Sequence, residues 1–352
     1  MAKEPELRAH QEWLGYLQPV GLVVSPPALL AAQAYVNRNI VPEQERFLAL
    51  VEEVPVGGEE SAPAVVDFPR FAREVLDWRP ADLIGGPGAE PLPSSLEVVL
   101  TDYGETLRPT YAVREGIPER DRKPGEVAPW MLLIQTLPAA TPFDDVVVRD
   151  EHRWHASAQN RFERLLRELK VPAGLLVNAT HLRLVYAPRG ESSGHLTFPV
   201  RAMTEVAGRS IFAAFHMLLG ADRLFLVDPK QRLTAILAES RKAQNLVSTK
   251  LARQVLAALY ELLRGFQAAD DQFKGALLRE VLARDPDLVY KGLLRVLMRL
   301  VFLLYAEDRG LMPGEPLYVR HYSVGGLFES CARTPADTPT RWTSATARGR
   351  NS

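Results

Sequence analysis

One cysteine, Cys331, stands in 352 residues. A lone cysteine excludes an internal disulfide and any zinc site built on thiolates. It fits a reducing, cytoplasmic compartment. Long apolar runs are also missing. The most apolar helical stretch, Leu293–Tyr305, is interrupted by Arg295 and Arg299, and is too short and too charged to span a bilayer. The first residues, MAKEPELRAHQEWLGYL, contain no apolar core before a small-residue cleavage site, so no secretory signal is expected. There is no Gly-x-x-x-x-Gly-Lys phosphate loop and no Gly-x-Ser-x-Gly elbow, which sets aside the commonest nucleotide-binding and serine-hydrolase designs.

What is present is the mix of a protein with a real core: 47% hydrophobic and 24% charged residues, enough at roughly 100–200 residues per domain for two domains. The net charge of −1 conceals an asymmetry. Residues 1–150 hold 13 Lys and Arg against 24 Asp and Glu, whereas residues 151–352 hold 29 against 19. The acidic half argues against uniform wrapping on nucleic acid, and the basic half permits phosphate contact. Attraction between the two halves is the other use of such a split.

Hydrophobic periodicity divides the chain into four segments. Residues 1–60 read as helical: a run through Glu12, Trp13, Tyr16 and Leu17, a second helix opened by Ser25 as N-cap with Pro26 and Pro27, and a third over Pro42–Val54. Pro55–Pro63 reads as a linker. Residues 61–205 change to strand patterns. A short helix over Pro69–Trp78 and a Gly/Pro loop over Ile84–Ser95 precede strands at Leu96–Leu100 and Leu107–Val113, joined by a turn at Asp102–Glu105. Trp130–Leu137 is a continuous apolar run, as in a buried strand. Ser157–Leu169 is an amphipathic helix, with Phe162, Leu165 and Leu166 opposite Arg161, Arg164 and Arg167. Strands at Val171–Val177 and Leu182–Tyr186 follow. Residues 206–328 are expected to form an all-helical connector, with helices over Ile211–Leu219, Gln231–Val247, Lys250–Ala268, Gln272–Ala283 and Asp287–Asp308. Residues 329–352, beginning ESCARTPADTPTRW, lose all periodicity and are expected to be disordered. The abruptness of that change raises the expectation of a truncated or frameshifted gene.

The expected fold is therefore α+β. Its mixed sheet resembles a degenerate PD-(D/E)XK nuclease core, with a helical segment before it and a helical connector after it. Such a core needs a carboxylate at the end of one strand and Glu-x-Lys or Asp-x-Lys at the end of the next. The carboxylates hold Mg²⁺ and the lysine helps activate water. Here the second position reads Gln135-Thr136-Leu137. Gln135 brings no charge to a metal and Leu137 can move no proton. Glu97, Asp102 and Glu115 are the nearby carboxylates, although Glu97 also suits an exposed strand position and Asp102 a turn.

Three stretches carry a wider resemblance: WLGYLQPVGLVVSPPALLAAQAYVNRNI, FERLLRELKVPAGLLVNATHLRLVYAPRGE and LLRVLMRLVFLLYAEDRGLMP. Together they resemble the amino-terminal half of single-chain type IIG (IIL-like) restriction–modification proteins and related phage-defence adenine methyltransferases, over about residues 10–328. The resemblance implies a nuclease-like domain, then a helical connector ahead of a methyltransferase domain, then target recognition. It makes Gln159, in the Ser157-x-Gln159 pair, the polar helix residue beside the nuclease centre. It implies DNA as partner, together with methyltransferase or other defence-system subunits, and no membrane. A nuclease-active centre would take Mg²⁺; otherwise no cofactor is expected in this segment.

An S-adenosylmethionine site is not expected either. Methyltransferases need a Gly-rich turn after a strand and Asn/Asp/Ser-Pro-Pro-aromatic to hold a flipped base. Leu83-Ile84-Gly85-Gly86-Pro87-Gly88 runs on into Pro91 and Pro93 in place of a helix, and Val23-Val24-Ser25-Pro26-Pro27 is followed by Ala28 where an aromatic should stand. The remaining functional signal is basic. Arg161, Arg164 and Arg167 form one stripe; Arg241, Lys242, Lys250 and Arg253 form a patch farther on. Either could supply salt-sensitive contact with DNA phosphates, or serve as solvated or salt-bridged helix faces. Arg295 and Arg299 either pair with an acid such as Glu307 or face a groove. His152 and His155, with Glu151, read as a loop more readily than as a metal site. His10, His181, His195, His216 and His321 read as surface or interface residues. The expected activities are DNA binding or positioning without cleavage, a divergent Mg²⁺-dependent endonuclease, or a non-enzymatic scaffold for methyltransferase or helicase subunits.

Overall fold

A computed structural model of the chain describes residues 3–58, 60–88, 91–115, 129–146, 154–285, 287–308 and 310–333. It resolves into two compact units, Met1–Leu246 and Val247–Ser352. The first is mixed α and β around a mixed sheet; the second is helical.

The first unit opens with helices α1 (Lys3–Leu17), α2 (Pro26–Ala31) and α3 (Val41–Leu48). The expected third helix stops early. Glu52–Gly57 (β1) and Glu60–Ala64 (β2) pair as an antiparallel hairpin, so residues read as helix end and linker are strands. The cause is visible in the residues: Val54 and Val56 alternate with acidic and small neighbours, a period-2 pattern hidden by Pro55 and Pro63. Helix α4 (Phe68–Glu74) follows, started by Asp67, whose carboxylate accepts the Arg70 N–H at 2.9 Å.

The main sheet has six strands. In spatial order they are Gly194–Pro199 (β10), His181–Tyr186 (β9), Ala173–Val177 (β8), Trp130–Thr136 (β7), Tyr111–Arg114 (β6) and Leu83–Gly85 (β3). All neighbours are antiparallel except β7 and β8, which run parallel and are joined through helix α5 (Ala158–Leu169). Strands β4 (Val98–Leu100) and β5 (Glu105–Leu107) form a separate hairpin turned by Thr101–Tyr103. The expected strand Leu107–Val113 is therefore split between β5 and β6. Strand β10 was not expected: its inward residues Leu196 and Phe198 alternate with His195 and Thr197 over too short a run to stand out.

Both faces of the sheet are covered, which is why its strands read as continuous apolar runs. Along β8 and β9, Leu175, Val177, Leu182 and Leu184 face a core with Trp13, Phe47, Phe71 and Phe212. Leu176 and Val185 face the other way, against Phe162, Leu165 and Leu166 of α5. Burying each such side chain contributes about 1.5–3 kcal/mol. The aromatic side belongs to α1, α3, α4, α6 (Val200–Thr204) and α7 (Arg209–Leu219), so the helix at 209–219, expected in the connector, is part of the sheet unit's core. Phe47 stacks on Phe212 at 5.0 Å. On the α5 side, Gly174 makes close docking possible: a Cβ there would lie 2.5 Å from the Phe162 ring.

The β10 edge is met at one point by the segment after α1. Val20 and His195 exchange backbone hydrogen bonds of 3.1 and 2.8 Å. Gly21 makes the turn at φ +66°, where a Cβ would lie 2.6 Å from the Ser193 carbonyl oxygen.

Helix α8 (Leu233–Gln272) is one element where two were expected, and it crosses the boundary between the units. The helical unit continues with α9 (Arg279–Arg284), α10 (Asp287–Asp308), α11 (Pro316–His321) and α12 (Val324–Arg333). Helix α12 corrects the expected start of the disordered tail at residue 329; residues 334–352 lie outside the described set. No helix among the described residues is long and apolar enough to cross a membrane.

Candidate functional site

The parallel pair β7–β8 makes one end of the sheet special. The carboxyl ends of these strands and the first turn of α5 meet there, the usual position of a site in an α/β sheet. Gln135 lies at that end of β7. Strand β6 runs antiparallel to β7, and the Thr110 N–H donates to the Ile134 carbonyl at 2.8 Å, so Thr110 sits opposite Gln135. The Thr110 hydroxyl oxygen accepts from Gln135 Nε2 at 3.3 Å and from the Thr136 N–H at 3.0 Å, and contacts the Thr136 hydroxyl at 3.1 Å. Two neutral side chains thus face one another at this end of the strand pair.

The carboxylates picked from the sequence do not fill this gap. Glu97 is exposed just before β4, with its nearest cation, Arg108, at 3.9 Å. It shares a cleft of about 390 Å³ with Gln135, Thr110 and Arg108, but Arg108 supplies positive charge there. Asp102 is exposed on the β4–β5 turn. Glu115 pairs with the buried Arg232 at 3.5 Å. Among the described residues, no group of three or more His, Cys, Asp or Glu is placed to hold a metal ion. Leu137 lines a second cleft, of about 300 Å³, with Gln135, Arg161 and Phe162.

Gln159 is buried in a constellation that sequence reasoning missed. Its Oε1 accepts from Arg183 at 3.2 Å and its Nε2 donates to Glu163 at 2.9 Å. Arg183, nearly buried on β9, donates twice to Asp144, at 2.7 and 2.8 Å, and once to Thr197 on β10 at 2.8 Å. Its guanidinium lies 4.5 Å from the centre of the Phe143 ring. The hydrogen bonds and charge of Arg183 hold the Asp144 carboxyl below its ordinary range. His181 and His195 line the same cavity, of about 590 Å³, and burial pushes both imidazoles down, as does the charge of Arg183. One sequence signal was available: Arg183 interrupts the apolar run Leu182-Arg183-Leu184-Val185, and a charge inside a buried strand needs a partner. The arrangement ties the β7–α5 loop to the sheet edge. Arg183 has little capacity left for a ligand.

The basic residues divide into two sorts. On α5, Arg161 pairs with Glu105 and donates to the Trp154 carbonyl at 2.6 Å; Arg164 pairs with Glu168 at 3.4 Å and Arg167 with Glu163 at 3.3 Å. Arg241 is buried and pairs with Glu191 at 3.2 Å, tying α8 to the β9–β10 loop. Lys242 is exposed beside Glu239 at 3.4 Å, and Arg253 is exposed. The side chain of Lys250 lies outside the described set.

Two expectations about histidines and acids need correction. His10 is fully buried, not at the surface, and its Nδ1 accepts from Trp13 Nε1 at 3.2 Å. Glu307 does not meet Arg295 or Arg299; it accepts the Val324 N–H at 2.8 Å and so caps α12. His152 and Glu151 lie outside the described residues. Ser25 heads α2, with its own N–H donated to Ser240 Oγ at 2.8 Å. No family model matches the chain, and neither a curated protein nor a solved structure is significantly similar to it.

Proposed function

We propose that the chain is a nuclease-like module of a restriction–modification or phage-defence system that positions DNA without cutting it. The observation that supports this reading best is the Thr110–Gln135–Thr136 hydrogen-bond cluster. It lies at the carboxyl end of β7, in a mixed sheet with a helical crossover to a parallel neighbour, where a PD-(D/E)XK core carries its acids. Neutral partners there hold the strands together and leave Mg²⁺ without ligands. An endonuclease working through Glu97 and Asp102 is the weaker reading, because Arg108 stands at 3.9 Å from Glu97 and Asp102 sits on an exposed turn.

DNA contact in this reading rests on the exposed Arg253, which makes no ion pair among the described residues, more than on α5 or Lys242, whose cations already have carboxylate partners. The resemblance to type IIG proteins adds a methyltransferase partner outside this segment. Plasmid cleavage with Mg²⁺ or Mn²⁺ and fluorescence anisotropy on duplex DNA over a salt series test the proposal together. Binding that weakens steeply with salt, with no cleavage, is expected. Cleavage lost on Glu97→Ala or Asp102→Ala would overturn it in favour of a divergent nuclease. Absence of DNA binding at low salt would remove the positioning role.

A further inference from the structure

Helix α10 is apolar around most of its circumference, yet its own unit uses only part of it. Leu293 and Leu297 are buried. At 3.6 residues per turn, the opposite face carries Lys291, Arg295 and Arg299, all exposed. Interleaved with them are Leu288, Met298 and Phe302, the last two 61% and 69% exposed. None of these three cations makes an ion pair among the described residues. Like charges four apart on a helix repel. Exposed apolar side chains also stand elsewhere round α10, Tyr290, Val301, Leu304 and Tyr305 among them. On this face they share the surface with cations, and such exposed apolar groups mark an interaction surface.

The mixture selects the occupant. A phosphate backbone would answer the cations but leave Met298 and Phe302 in water. A second copy of α10 would bring a stripe of the same sign against this one. An amphipathic helix with an apolar stripe flanked by Glu or Asp satisfies both kinds of group: its stripe covers Met298 and Phe302 while its acids meet Lys291, Arg295 and Arg299. We propose that this face of α10 docks an acidic amphipathic helix of a protein partner. The proposal is independent of the DNA reading, since α10 is not among the residues assigned there to DNA.

The test uses the full chain and two labelled synthetic peptides of about three heptads, with Leu at a and d. One peptide carries Glu at e and g, its twin Lys. Fluorescence anisotropy is expected to show binding of the Glu peptide, weaker at high salt, and no binding of the Lys peptide. Joint Arg295→Glu and Arg299→Glu should weaken the Glu peptide about tenfold and reverse the preference. Phe302→Ser should weaken it at every salt concentration; all three positions are exposed, so the fold tolerates the changes. Equal binding of the two peptides, or none, overturns the proposal. So does displacement of the Glu peptide by duplex DNA with no effect of Phe302→Ser, which would make the face a phosphate surface. Sedimentation showing a dimer dispersed by Phe302→Ser would assign the face to a second copy and overturn it likewise.

Discussion

Helices α5 and α10 both carry arginines three to four residues apart, and they settle that charge in opposite ways. On α5 each arginine has a carboxylate, from Glu105, Glu163 or Glu168. The other face of the same helix is filled by Phe162, Leu165 and Leu166 against the sheet. On α10 the cations make no ion pair among the described residues, and the apolar side chains beside them stand in solvent. Helix α5 thus has its charges paired on one face and its apolar side chains packed on the other. Helix α10 buries Leu293, Leu297 and Ala306 and leaves many of its other apolar side chains exposed. The same residue types therefore mean different things: on α5 an arginine stripe is part of the fold, and on α10 it is an unfilled requirement.

The contrast can be broken most directly in the two cores. Phe212→Ala should cost about 3–5 kcal/mol, because the ring sits fully packed among Phe47 and its neighbours. Leu297→Ala on α10 should cost less, about 2 kcal/mol, the low end for such a truncation, since loosely covered neighbours can close the gap. In a Trp342→Phe background, tryptophan fluorescence in urea follows the sheet unit, which holds the other four tryptophans, Trp13, Trp78, Trp130 and Trp154, and far-ultraviolet circular dichroism follows the helices. Equal losses at the two positions would erase the distinction.

A smaller effect is expected at the sheet edge. Asp144→Asn leaves the buried Arg183 without its charge partner, but Asp144 itself is 61% exposed. Solvent screening brings the cost down to about 1–2 kcal/mol, read as a shift in the urea midpoint. Acid should act on the same unit. Burial lowers His10, His181, His195 and His216 below their ordinary value of 6.5. Unfolding then lets each take up a proton, so their contribution is fully present above pH 6.5 and declines as the pH falls below it. His10→Gln should flatten part of that decline between neutral pH and the acid side. A urea midpoint that rises on acidification over this range would contradict the burial of these rings. The smallest effect belongs to α5: Glu168→Gln should change stability by about 0.3–0.5 kcal/mol, the worth of an exposed i,i+4 pair.

Much of the sheet unit was legible because burial writes itself into period and composition. The Trp130–Leu137 run became β7, and the Phe162/Leu165/Leu166 stripe became the docked face of α5. What failed was local signal overridden by pairing. Pro55 and Pro63 disguised a hairpin, and β10 exists because it has β9 to lie against. Position 135 was read for its missing charge, but its partner Thr110 could not be seen, since only the β6–β7 register brings them together. The Asp144–Arg183–Gln159 group was hidden for the same reason: its members are far apart in sequence and share no motif.

The clasp of Val20 on His195 has a consequence for how the chain reaches its structure. A growing polypeptide presents residues 18–22 long before β10 exists, so this pairing closes late and only after a large loop has been ordered. Until then β10, once formed, ends the sheet in a row of unpaired backbone donors and acceptors. The partly assembled protein is therefore more open to wrong, intermolecular pairing along the edge that Val20 meets in the finished one.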